Sequence, residues 1–208
     1  MKLLSNITKT KSHRLTTFKR FYSIENINKD NKSNINSKPY ISSSHCNYCG
    51  SAYDNQSWPR VCGCCKNMTF RNPIPVAVGL LPFKITKEKC GLLLVRRSIK
   101  PFVGELCFPG GFIDWGESWQ QAISREVREE TSVQTDPNEF KLETIHSTPD
   151  GTRVLIFGST QKIREYSEIK DFKATNETSE LLIGNDFSKL CFSLHQEVLN
   201  NWFSNQNE

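Results

Sequence analysis

The sequence predicts an α+β fold: one domain of short strands around a dominant helix, preceded by a small cysteine-rich module. Three observations carry that expectation. Short apolar runs bounded by turn residues recur on both sides of one helical segment. That segment, residues 119–130, has an apolar face interrupted by carboxylates. Five of the eight cysteines fall between residues 46 and 65. A chain of 208 residues has room for one domain of ordinary size with appendages. None of its apolar runs approaches the roughly 18 residues needed to cross a membrane.

The net charge of +5 resides at one end. Residues 1–22 hold Lys2, Lys9, Lys11, Arg14, Lys19 and Arg20 and no acid, and the remainder carries 21 basic against 22 acidic residues. Whole-chain charge is therefore no argument for nucleic acid. The segment is basic and hydroxyl-rich, with Leu3, Leu4, Ile7, Leu15 and Phe18 interspersed, which reads as a mitochondrial presequence. Residues 20–23, Arg-Phe-Tyr-Ser, resemble a matrix processing site with cleavage before Ser23. Residues 23–44 are rich in Asn, Ser and Lys and read as a disordered linker.

Residues 45–70 form the next unit. Cys46-x2-Cys49 and Cys62-x2-Cys65 are two pairs separated by twelve residues. Each pair offers two thiolates from one tight turn, so together they can close a tetrahedral structural Zn2+ site. Gly50 and Gly63 suit the knuckle turns, and Cys64 is a spectator or an alternative ligand. Tyr53, Trp58, Arg60 and Lys66 could touch nucleic acid, but read better as ordinary surface with packing aromatics.

The larger unit, residues 71–204, opens with the apolar run 75–81, expected to be a buried strand. Residues 91–97 are its expected hairpin partner across the polar loop 84–89. After the helix, residues 141–146 and 153–158 read as two strands joined at Pro149-Asp150-Gly151. Residues 176–180 read as an acidic loop, and residues 187–203 as a C-terminal helical region. Cys90, Cys107 and Cys191 read as isolated small hydrophobes, and His146 as a structural strand histidine.

The helix carries the chemistry. With Trp119 at 0° and about 100° per residue, Ala122, Ile123 and Val127 form an apolar face. Glu126 and Glu130 fall near 340° and 20°, inside that face, and Glu129 lies on its edge near 280°. Carboxylates among buried side chains lose hydration and repel one another, so a hard divalent cation with oxygen ligands belongs among them. Pro109-Gly110-Gly111 lets backbone approach a ligand and leaves carbonyls free.

Residues 111–133 resemble the Nudix box, G-x5-E-x7-R-E-U-x-E-E-x-G-U with U bulky and apolar. Gly111, Glu117, Arg125, Glu126, Val127, Glu129, Glu130 and Val133 fall in register, and Ser132 replaces the late glycine. A four-cysteine ribbon followed by such a box resembles the zinc-ribbon Nudix hydrolases, which include NADH and FAD pyrophosphatases, over about residues 44–203. The resemblance implies a Nudix α/β/α sandwich with a mixed sheet. It also implies metal-dependent hydrolysis of the pyrophosphate bond in a nucleoside diphosphate linked to another moiety.

On that resemblance Mg2+ or Mn2+ would be held by Glu126, Glu129, Glu130 and the Gly110 carbonyl, with Glu117 and Arg125 as positioning residues. Glu177 or Glu180 would complete the site or act as base, and Arg96, Arg97 and Gly111 would meet substrate. The downstream Ser-Gln-Pro-Trp-Pro-Phe-type signature of NADH pyrophosphatases is absent from residues 135–208. FAD, ADP-ribose and similar adenylate diphosphates stay open. Alternatives are a nucleotide-capped RNA hydrolase and a non-catalytic zinc-ribbon binding module. The expected partner is a nucleotide-derived small molecule, with homodimerisation open and neither membrane nor nucleic acid expected; the expected location is the mitochondrial matrix.

Overall fold

The computed structural model describes residues 44–54, 57–185 and 189–205. The presequence and nearly all of the linker lie outside the described residues. The chain divides into two compact units, Met1–Pro73 and Ile74–Glu208.

In the first unit, β1 (Arg60–Val61) and β2 (Met68–Thr69) form a short antiparallel pair. Two loops of like geometry carry the cysteines. The Gly50 N–H donates to the Cys46 carbonyl at 2.9 Å, and the Lys66 N–H donates to the Cys62 carbonyl at 3.0 Å. The left-handed position of the first loop is Gly50 (φ 74°), as expected. In the second loop it is Lys66 (φ 61°), one residue after Cys65, and not Gly63. Lys66 anchors itself there through an ammonium hydrogen bond to the Gly63 carbonyl at 2.7 Å. Arg60 is buried, its guanidinium 4.3 Å from the Trp58 ring centroid and 5.2 Å from that of Tyr53. The aromatics pack as expected, but Arg60, read as surface, is enclosed between them as a buried cation.

The second unit contains two four-stranded sheets. The first, mixed, has the order β7 (Gly110–Phe112), β3 (Ile74–Leu80), β9 (Arg153–Thr160), β8 (Phe140–Ser147). β3 is parallel to β9 and antiparallel to β7. The second sheet has β5 (Cys90–Arg97) between β10 (Thr178–Gly184) and β4 (Pro82–Lys84), with β6 (Leu106–Cys107) also paired to β5. Among the described residues of this unit lie two α-helices, α1 (Trp119–Thr131) and α2 (Ser193–Asn205).

Successive strand residues point to opposite faces, and β3 shows the consequence. Ala77 joins a core with Ala122, Ile123 and Val127 of α1, whereas Val78 and Leu80 join one with Val198 and Leu199 of α2. The mixed sheet thus buries both faces, each fully enclosed Val, Leu or Phe contributing about 1.5–3 kcal/mol. Gly158 allows α1 to approach closely, since a Cβ there would lie 2.6 Å from Ile123 Cδ1 and 2.6 Å from the Trp119 ring. Among the described residues no helix is long and apolar enough to cross a membrane.

Three expectations are corrected. Residues 91–97 do not pair with the run 75–81: after Leu80 the chain passes into the other sheet, and β5 forms its hairpin with β4. Both runs are apolar throughout because both are enclosed on two faces, and such runs carry no mark of their partner. Residues 178–180 are strand, not loop, because β10 pairs with β5 from Thr178 onward. The terminal helix begins at Ser193, later than residue 187. The hairpin of β8 and β9 forms as expected, with Gly151 left-handed (φ 66°) in its turn.

Both ends of α1 are capped. Ser118 and Gln121 form a reciprocal capping box, a signal present in the sequence at the expected spacing. At the other end Ser132 adopts φ 66° and ψ 0°, donating its N–H to the Arg128 carbonyl at 3.0 Å. A side chain in this conformation is strained where glycine is not. Ser132 is exposed, so Ser132→Gly should raise stability by about 0.5–1 kcal/mol in chemical denaturation. A loss of stability would show that the serine side chain holds this exit.

Candidate active site

Glu126 and Glu130 lie one turn apart on α1 and are 3% and 7% exposed. Glu130 accepts the Gly110 N–H at 3.0 Å. Burial first, then Glu126 and Cys107, push its carboxyl well above the ordinary range. Burial likewise raises Glu126, to about 7, against the opposing pull of Arg125. The glycine loop is shaped to this pair. A Cβ on Gly111 would lie 2.4 Å from Glu126 Oε1, and one on Gly110 would lie 2.4 Å from the Ala77 carbonyl oxygen. Any side chain at 110 or 111 would displace a carboxylate or the neighbouring strand.

Arg125 holds the group in place. Its Nε and Nη2 donate to the two Glu117 oxygens at 2.7 and 2.9 Å, and Nη2 also reaches the Phe112 carbonyl at 2.9 Å. Nη1 donates to Glu126 Oε1 at 2.5 Å and lies 3.5 Å from Glu129. The loop 112–117 folds over Arg125, leaving its side chain 11% exposed. Glu117 also accepts the Asp114 N–H at 3.0 Å, so one carboxylate fixes both the loop and the arginine. Glu129 stays half exposed at the rim.

Of the two late carboxylates, the structure brings Glu177 to this cluster and not Glu180. Burial and then Glu129 raise the Glu177 carboxyl, and Glu177 in turn raises both Glu126 and Glu130. Glu180 lies on β10, where it accepts Arg96 Nε at 2.7 Å. Arg96 also donates to the Gly104 carbonyl at 2.8 Å. Arg97 is buried rather than presented to a ligand. Its Nε donates to the Pro101 carbonyl at 2.8 Å, its Nη1 reaches Cys107 Sγ at 3.8 Å, and it stacks 5.4 Å from the Phe192 centroid. At the paired ends of two strands, Arg96 and Arg97 point to opposite sides, which the sequence run could not assign to substrate or packing.

His195, which the sequence did not single out, accepts the Phe108 N–H through Nδ1 at 3.2 Å and packs on Phe157. Burial drops its pKa to about 3, so it stays neutral and braces the residue that precedes Pro109.

A second site lies in the ribbon. Ligand atoms of Cys46, Cys49, Cys62 and Cys65 all lie within 4.8 Å of one another, and Cys64 is exposed outside the set. The Tyr48 N–H points at Cys46 Sγ from 3.4 Å. Contact with Ser51 first, and then the neighbouring thiols, bring Cys49 down to about 6. Four sulfurs in this arrangement fit a tetrahedral soft-metal site. No carboxylate group is as tightly gathered among the described residues: Arg125 stands between Glu126 and Glu129.

A NUDIX domain family model matches residues 73–203. Over 59 residues the chain is 39% identical to an ADP-ribose pyrophosphatase of Methanocaldococcus jannaschii. That match covers 28% of this chain and spans 34% of that protein. The fold is similar to the crystal structure of a NUDIX hydrolase from Nitrosomonas europaea, with a TM-score of 0.58 at 17% identity, covering 79% of this chain and 93% of that one. It is also similar to the NUDIX domain of Shewanella oneidensis NrtR complexed with ADP ribose, with a TM-score of 0.53 at 20% identity, covering 66% and 90%.

Proposed function

Since the chain belongs to the NUDIX domain family, we propose that it is a divalent-metal-dependent hydrolase of the pyrophosphate bond in a nucleoside diphosphate linked to another moiety. ADP-ribose is the first substrate to test. The observation that carries this reading is the buried pair Glu126 and Glu130, both raised by burial first and both pushed further by the charge of Glu177. The donor set fits a hard cation: Glu126 and Glu130, Glu129 at the rim and the Gly110 carbonyl would hold Mg2+ or Mn2+. Bound there, the metal would neutralise the diphosphate charge and make an attacking water more acidic.

The chain's own residues supply the rest. Arg125 fixes Glu126 through charge-assisted hydrogen bonds while Glu117 fixes Arg125. Glu177, its carboxyl raised by burial and then by Glu129, would take the proton from the attacking water. The glycines at 110 and 111 keep backbone close to the carboxylates and leave the loop without a side chain that would block a phosphate. The match to an ADP-ribose pyrophosphatase supports that substrate ahead of FAD or NADH.

The test is a product-release screen of the full chain with Mg2+ or Mn2+. Its panel holds ADP-ribose, FAD, NADH, a dinucleoside polyphosphate, a nucleoside triphosphate and NAD-capped RNA. One preferred diphosphate, with kcat lowered about 100-fold in Glu177→Gln and unchanged in Glu180→Gln, is the expected result. Manganese binding without turnover on any of them would point to the non-catalytic module instead.

A further inference from the structure

Cys107 and Cys191 are 84 positions apart yet adjacent in space. Cys107 lies on β6, opposite Val95 of β5. The Cys191 N–H donates to the carbonyl of Leu106, the residue before Cys107, at 2.9 Å. That backbone contact sets the two thiols on neighbouring lengths of chain, Cys107 buried and Cys191 partly exposed, and each acts on the other: Cys191 raises the Cys107 thiol and Cys107 lowers that of Cys191. Neither reads as isolated, contrary to the sequence expectation, because nothing in the local pattern around either cysteine announces the other. A disulfide requires Cα atoms about 4.4–6.8 Å apart, the range that neighbouring lengths of hydrogen-bonded backbone provide. Phe192 holds the second cysteine in place, edge-on to Phe102 at 5.3 Å and beneath the Arg97 guanidinium.

We propose that Cys107 and Cys191 are a redox site that closes to a reversible disulfide with a two-electron oxidant of the peroxide class. Cys191, the less buried partner, attacks the O–O bond and becomes a sulfenic acid as one water leaves. The Cys107 thiol then displaces the sulfenic hydroxyl as a second water. Two thiols thereby lose two protons and two electrons, and one hydrogen peroxide becomes two waters. Cys191 is the thiol poised to attack: Cys107 first, and then the Arg97 guanidinium, whose Nη1 lies 3.8 Å from Cys107 Sγ, lower it, whereas Cys191 and burial hold the Cys107 thiol well above its ordinary value.

The bond would tie the segment entering α2 to the strand that leads into Pro109-Gly110-Gly111. This chemistry is independent of the proposed hydrolysis, so the two readings can fail separately.

The experiment exposes the full-length, zinc-loaded chain to stoichiometric hydrogen peroxide and maps cysteine peptides under non-reducing conditions. A linked Cys107–Cys191 peptide, lighter by two hydrogens than its halves and separated again by dithiothreitol, is expected. The same sample should melt several degrees higher than the reduced chain, because the bond closes a long loop. In Cys191→Ser the link should vanish while Cys107 is recovered as free thiol. Recovery of both cysteines as free thiols in the parent, or of Cys191 as sulfinic acid without the linked peptide, overturns the assignment.

Discussion

Glu130→Gln will unfold at a higher temperature than the parent at pH 8 in chelator, and will have lost metal-dependent turnover by at least about 100-fold. The two outcomes share one cause. In the folded chain this carboxyl is buried, and burial raises its pKa well above the ordinary 4.5. A raised folded-state pKa means that the folded chain binds the proton more tightly than the unfolded chain does. The stabilisation is full below about pH 4.5 and is lost as pH rises through the folded value. At pH 8 the parent must either ionise a buried group or keep a proton that the unfolded chain releases.

Glutamine escapes that penalty, and its carbonyl can still accept the Gly110 N–H that Glu130 accepts at 3.0 Å. The variant carries no ionisable group at this buried position, so it should melt above the parent at pH 8. Excess Mn2+ should reverse the order, because a ligand at about 100 times its Kd adds about 2.7 kcal/mol to the chain that binds it. A variant less stable than the parent in chelator would mean that Glu130 stabilises the apo fold, and the case for a metal site built at the expense of stability would be lost.

The legibility of this site follows from the same physics. Glu126 and Glu130 could be found from sequence because helical periodicity is local, and a charge on an apolar face stands out against it. The burial of Arg125 was not legible, because helical periodicity carries no sign of the loop 112–117 that covers it. Glu177 and Glu180 could not be separated, since the choice depends on where β10 begins to pair with β5. The positive-φ position at Lys66 could have been found by aligning the two knuckles: Gly50 follows Cys49 as Lys66 follows Cys65, whereas Gly63 has no counterpart role. What escaped the sequence was partner choice over distance, as with β4 in place of β3 beside β5, or Cys191 beside Cys107.

Cys62→Ser should have the largest effect on the smaller unit, and that unit's composition says why. Among its described residues the two strands are two residues long each, and the buried apolar side chains are Cys46 and Cys62 themselves. Arg60 between Trp58 and Tyr53, and the Tyr53 hydroxyl 2.5 Å from that of Thr69, add local order but little apolar burial. A module of this size lacks the core to fold on hydrophobic burial alone. Structural zinc can contribute about 10–16 kcal/mol of apparent binding free energy to such a fold.

Cys62 is fully enclosed, so serine there removes a thiolate that no neighbour replaces, Cys64 being exposed and outside the set of four. Bound zinc should fall from about one per chain to nearly none, and protease should cut within residues 45–70. The unit from Ile74 onward should keep its own melting transition, since α1 and the sheets carry separate cores. Cys64→Ser should leave zinc content unchanged. Full zinc in Cys62→Ser, together with loss in Cys64→Ser, would exchange the two ligands; full zinc in both would remove the site from these cysteines altogether.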